Sequence, residues 1–206
     1  MIRAVAAAAV GYAAGTLPSA ELVARALDRG VDPTAEGSGN PGAANVANLL
    51  GKRAGAAVFG LDMGKALVAG RIGAAVAGPL GANAAAAAAV LGHCFPAQRG
   101  FRGGKGVAAS FGQMLATFPA YLPIDLALGA VAAKSDFWKQ RPVATIGATC
   151  GLWTALAATS STRGLPNLWG PAPTPAMPIA AAVSSAAIVW RFASEARSAA
   201  DAAEPE

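Results

Sequence analysis

The sequence predicts an all-α, polytopic integral membrane protein of about seven short transmembrane helices. Three observations lead there. Of 206 residues, 54% are hydrophobic and only 13% charged, whereas soluble domains are nearer one-quarter charged. Mean hydropathy is +0.45. The charges also gather in short stretches and leave apolar windows of spanning length at about residues 4–27, 54–78, 80–96, 106–133, 143–160 and 175–192. The rival reading is an alanine-rich soluble helical domain, and the clustering of charge weighs against it.

The first window has Arg3 ahead of its alanines, as a signal peptide would. It runs on into Gly15-Thr16-Leu17-Pro18 and Glu21 without a polar mature start, so it reads as a retained first helix. The second holds Asp62 and Lys65, which share one helical face. A mid-membrane charge costs about 2.5–3.5 kcal/mol on insertion scales. The two therefore form an internal ion pair or line a site, and the spacing allows either. Window 106–133 contains Pro119 and Pro123. Unbroken, it gives six spans; broken, it gives seven, with halves of about 21 Å against a core of about 30 Å.

Charge favours seven. With the N-terminus outside, Arg29, Lys52, Arg53, Arg99, Arg102, Lys105, Lys134, Lys139, Arg141, Arg191 and Arg197 fall on one face, and little beyond Arg3 and Arg163 falls on the other. The rule that cytoplasmic loops are cation-rich then makes the C-terminus cytoplasmic. Residues 1–193 form one transmembrane helical domain, and 194–206 a polar, disordered tail. The pairs Gly11/Gly15, Gly60/Gly64 and Gly147/Gly151 have the spacing that lets helix backbones approach closely.

Several function classes drop out. The formal charge of +5 is not arranged as a basic stripe with interleaved aromatics, which excludes a nucleic-acid partner. Cys94 and Cys150 lie far apart and His93 is the single histidine, so neither a metal, another cofactor nor a disulfide framework is expected. Nothing in the chain sets an oligomeric state.

Two glycine-rich loops carry the chemistry. Gly100-Phe101-Arg102-Gly103-Gly104-Lys105-Gly106 follows Gly92-His93-Cys94-Phe95-Pro96. Glycines can turn backbone N–H groups toward one point, and Arg102 and Lys105 add charge suited to phosphate. The Walker spacing is missing, since Gly100 leaves one residue too few before Gly104-Lys105 and Gly106 follows. Gly37-Ser38-Gly39-Asn40-Pro41-Gly42, ahead of Lys52-Arg53, offers a second anion cradle on the same face. Its plain alternative is a loop with Asn40 capping a helix that starts at Pro41.

These residues resemble the bacterial acyl-phosphate:glycerol-3-phosphate acyltransferases. The likeness rests on Gly15-Thr16-Leu17-Pro18-Ser19-Ala20-Glu21, on Gly37 to Val46, on Leu61-Asp62-Met63-Gly64-Lys65 and on Gly92-His93-Cys94-Phe95-Pro96 running to Phe101–Ala108. It implies a multi-pass inner-membrane enzyme, active on its cytoplasmic face, that moves a fatty acyl group from acyl phosphate to glycerol 3-phosphate within the bilayer. On that reading His93 and Lys105 are candidate catalytic residues. Ser38, Gly39, Asn40, Asn45, Arg53, Arg102, Gly103, Gly104, Lys105 and Gly106 are the candidate substrate-binding set. The second half departs from the family pattern: Asn48, Phe192 and Glu195 stand where the family has Arg, His and Asn, on the side that takes glycerol phosphate. A different acceptor, or a non-catalytic relative binding lipid phosphate or a partner membrane protein, therefore stays open.

Overall fold

The computed structural model describes residues 1–27 and 30–201; Arg29, counted above with the cationic residues, and residues 202–206 of the tail lie outside them. The described residues are helical with no strand. In order they form α1 (Ile2–Gly15), α2 (Ser19–Ala26), α3 (Ala43–Leu50), α4 (Lys52–Cys94), α5 (Val107–Thr117), α6 (Leu122–Lys134), α7 (Asp136–Lys139), α8 (Pro142–Arg163) and α9 (Ala176–Asp201). Three stretches are long and apolar enough to cross a membrane: Lys52–Arg99, Pro142–Arg163 and Ala176–Asp201. The pair Val107–Thr117 and Pro119–Lys134, bent by 118°, makes a fourth if counted as one span. The break falls at Phe118, beside the prolines that make window 106–133 ambiguous in the sequence.

Helix α4 is folded back on itself. Gly78 takes φ +58°, ψ −150°, which a Cβ strongly disfavours, and Pro79 follows it. The two arms then run antiparallel: Gly73 lies against Gly81 and Ala85, Gly70 faces Ala86, and Asp62 meets His93 at the open end. Helix α1 packs parallel to the second arm, with Gly11 against the backbone of Ala85 and Gly15 against that of Ala89. Helix α5 runs parallel to the first arm, with Gly112 against Met63 and Leu67 and Ala116 against Gly70. The resulting core is mostly alanine: Ala7, Ala66, Ala69, Ala85, Ala89 and Ala109 surround Val90, Cys94 and Ile188.

The second half packs around larger side chains. Met114, Phe118, Tyr121, Trp153 and Met177 form a second cluster between α5, α8 and α9. Helices α8 and α9 are antiparallel, tied by Ser185 Oγ donating to the Cys150 carbonyl at 3.3 Å. Helix α6 has no buried residue. Two of the glycine pairs do not mark packing seams, because Gly60, Gly64, Gly147 and Gly151 have nothing within 4 Å of an added Cβ. The spacing brings backbones together only where a second helix offers small residues opposite, and here only Gly11/Gly15 meets one. Helix α9 also runs on past residue 193 to Asp201.

Candidate active site

The open end of the α4 hairpin gathers the polar groups. Asp62 Oδ1 lies 2.9 Å from Lys65 Nζ and 3.3 Å from His93 Nδ1, and all three side chains are nearly inaccessible. Lys65 also donates to the Leu17 carbonyl at 3.1 Å. A lone carboxylate here would be costly, and two nitrogen partners offset its desolvation. Asp62 and Lys65 are thus both an ion pair and site lining.

The Gly-rich loop is shaped by its neighbours rather than by its own bonds. Gly104 donates its N–H to the His93 carbonyl at 3.0 Å, and a Cβ there would run into His93 Nε2. Gly106 sits at φ +86° over Cys94 and Ile188, a conformation and a closeness that exclude a side chain. From α9, the Arg191 guanidinium donates to the carbonyls of both Gly103 and Gly104. That fork turns two acceptors away from the cavity. Among the described residues, the N–H groups of Lys105, Gly106, Val107 and Ala108 have no acceptor. They form the positive end of α5, an arrangement suited to an anion.

The first loop is braced likewise. Asn45 Oδ1 accepts the Ser38 N–H at 2.9 Å, and its Nδ2 donates to the carbonyls of Pro33 and Glu36, both at 3.0 Å. Thr34 donates to Asp32 Oδ1 from its hydroxyl at 2.7 Å and its N–H at 2.9 Å, which holds that exposed carboxyl below its ordinary pKa. Helix α3 begins at Ala43 with Gly42 as its N-cap, not at Pro41 behind an Asn40 cap as the plain alternative had it, and no side chain caps it.

Between these parts lies a cavity of about 390 Å³ lined by Ser38, Asn40, Gly42, Ala43, Ala44, Asn45, Phe59, Asp62, His93, Lys105, Gly106, Val107, Ala108 and Phe192. Two helix N-termini, a lysine and the Asp62–His93 pair face it, and the remaining wall is apolar. A second pocket of about 610 Å³ adjoins it and shares Ser38 and Asn40; Gly39, Phe95, Phe101, Arg102, Trp190, Arg191, Ser194 and Glu195 complete much of its wall. Asn40 Oδ1 is buried with no hydrogen-bond partner.

Of the residues expected from the sequence, Ser38, Asn40, Asn45, His93, Lys105 and Gly106 line the first cavity, and Gly39 and Arg102 the second. Asn45 lends its amide to the loop. Gly103 and Gly104 lie behind, in a narrow cleft with Asp62, Lys65 and His93. Arg53 is exposed at the start of α4 and lines neither cavity. Asn48 is also exposed and outside both. The resemblance put Glu195 on the acceptor side, and the structure brings it to Lys105; Arg191, outside the candidate set, reaches the loop as well. Both stand a turn or so apart on α9, where nothing but the fold brings them to the loop.

An all-α membrane fold with an anion cradle, a buried acid–histidine pair and apolar walls defines a class: membrane-embedded proteins that handle an amphiphilic phosphate. The description glycerol-3-phosphate acyltransferase belongs to the family model that matches residues 5–201. The chain is 39% identical over 185 residues to a glycerol-3-phosphate acyltransferase of Halorhodospira halophila, covering 88% of this chain and 85% of that one. To the enzyme of Rubrobacter xylanophilus it is 37% identical over 191 residues, covering 91% and 87%. A crystal structure of PlsY (YgiH), an integral membrane glycerol 3-phosphate acyltransferase in its glycerol 3-phosphate form, superposes with a TM-score of 0.74 at 25% identity over 98% of this chain and 94% of that chain. The chain belongs to the glycerol-3-phosphate acyltransferase family.

Proposed function

We propose that the chain transfers a fatty acyl group from an acyl phosphate to the 1-hydroxyl of glycerol 3-phosphate, giving lysophosphatidate and phosphate for phospholipid synthesis. One observation carries this most: Lys105, the N-termini of α3 and α5, Asn40 and the Asp62–His93 pair converge on one cavity whose other walls are apolar. The acyl chain lies along Phe59 and Phe192. Lys105 and the free N–H groups of the loop bind a phosphoryl group and support charge on the departing phosphate. Arg102 and Ser38, in the adjoining pocket, take polar groups of the second substrate, and the unpartnered Asn40 oxygen takes a hydroxyl.

The hydroxyl oxygen attacks the carbonyl carbon of the mixed anhydride, and the bond from that carbon to the phosphate oxygen breaks. His93, with Nδ1 held by Asp62 and Nε2 beside Gly104, lines the cavity and takes the hydroxyl proton. Because the donor is already activated, no enzyme nucleophile is required, and positioning supplies much of the rate.

The topology proposed is seven crossings: α1, the two arms of α4, α5, α6, α8 and α9, with the N-terminus outside and the C-terminus cytoplasmic. In its favour, the cavity, Arg99, Arg102, Lys105 and Arg191 lie at one end of the bundle. A reporter fused after Ala172 is expected on the outer face, and a cytoplasmic signal there refutes the arrangement.

The activity itself is tested with detergent-purified protein, palmitoyl phosphate and labelled glycerol 3-phosphate. The expected outcome is lysophosphatidate with matching phosphate release, and a loss of about 100-fold or more in Lys105→Ala. Phosphate release that requires another acceptor would reassign the acceptor, and binding without turnover would remove the enzyme reading.

A further inference from the structure

Helix α9 sends two charged side chains of opposite sign to the same loop. Arg191 holds the Gly103 and Gly104 carbonyls from behind. Glu195, one turn on, reaches the working face: its Oε1 lies 2.7 Å from Lys105 Nζ, and its Oε2 accepts from Asn40 Nδ2 at 3.3 Å. Lys105 also sits over the Phe192 ring, 4.7 Å from its centroid. The carboxylate therefore occupies Lys105, the only lysine or arginine lining the first cavity among the described residues. It does so at the wall shared with the second pocket, and its side chain is 41% exposed.

We propose that Glu195 is an affinity-setting residue whose carboxylate fills the anion seat at Lys105 and Asn40 in the empty enzyme, and that a substrate phosphoryl group binds by displacing it. This rests on the acyltransfer reading above and adds what that reading lacks, a competitor built into the chain. The exchange is chemically balanced. A carboxylate offers a single negative charge and two oxygens, whereas a phosphate monoester or an acyl phosphate brings three acceptor oxygens and as much charge or more. The released carboxylate swings into the second pocket, on the wall it already shares with Ser194 and Ser198. Both substrates carry the required phosphoryl chemistry, so the kinetics assign which of them takes the seat.

The test is Glu195→Gln in the purified enzyme, which keeps the size and the Asn40 contact but removes the charge. KM for the substrate that sits on Lys105 falls about fivefold while kcat stays within about twofold, the size expected of a half-exposed ion pair. Inorganic phosphate inhibits at a correspondingly lower concentration. Glu195→Ala lowers the same KM, because the charge and not the hydrogen bond is the competitor. Asp136→Asn makes the same change of net charge at an exposed site on α7 and leaves both KM values alone. A fall for palmitoyl phosphate assigns the seat to the donor; a fall for glycerol 3-phosphate assigns it to the acceptor. If Glu195→Gln, folded with an unchanged melting temperature, leaves both KM values unchanged or raised, the inference is overturned. A wild-type protein without acyl transfer sinks the enzyme reading instead. In that case protection against heat unfolding by inorganic phosphate decides: stronger protection of Glu195→Gln than of wild type supports the displacement, and equal protection overturns it.

Discussion

In α1 the pair Gly11/Gly15 lies directly on the backbone of Ala85 and Ala89, whereas in α8 the pair Gly147/Gly151, with the same spacing, has open space around it. The difference runs through the whole molecule. From α1 to α5 the helices approach so closely that backbones touch, and the polar groups of the site are fixed between them. From α6 to α9, α6 has no buried residue, α8 and α9 pack on each other and around Trp153 and Met177, and of these helices only α9 reaches the cavity. The first half frames the candidate site, and the second half supplies part of its wall and the two α9 side chains that reach its loop.

Four substitutions break or sharpen that contrast. The largest effect is expected at Asp62→Ala, which strands Lys65 and His93 without their shared carboxylate; removing one partner of a buried pair costs about 3–5 kcal/mol, read as a collapse of the melting temperature in detergent. Gly11→Val comes next, since even its Cβ overlaps the Ala85 carbonyl; overpacking at backbone contact costs about 3 kcal/mol, and a stable variant would contradict the seam. Arg191→Lys keeps the charge but loses the fork on Gly103 and Gly104, so acyl transfer falls about tenfold with little change in melting temperature. The smallest effect is at Gly147→Ala, where no neighbour resists a methyl group and replacing a mid-helix glycine stabilises by about 0.5–1 kcal/mol. A loss of stability there would show that the Gly147 face of α8 has a close partner after all.

The sequence made part of this legible. The helical class, the break near Pro119 and the two glycine-rich loops follow from local pattern, because hydropathy windows and turn residues are local properties. Ser38, Asn40, His93 and Lys105, all within the motifs singled out, line one cavity. The rest depends on contacts between distant positions. That Asp62 meets His93 depends on how the two arms of α4 fold back at Gly78. The amide of Asn45 looked free for a substrate until the loop wrapped onto it. Glu195, read from sequence as a charge opposed to an anionic acceptor, has a cation of its own 2.7 Å away. Arg191 carried only its sign and its place beside Phe192, with no hint that it would hold the carbonyls of Gly103 and Gly104.

The α4 hairpin has a consequence for biogenesis. Its arms are consecutive in the chain, and the connection between them is a single Gly-Pro turn, so closure loses little chain entropy. A translating ribosome delivers Asp62, Lys65 and His93 within one stretch, before α5, α8 or α9 exists. The three charges and partial charges that lipid would reject are therefore supplied with their partners while the chain is still being inserted. The buried Asp62–His93 pair is assembled early, as cargo of the first hairpin, and the helices made later close around a centre already neutralised.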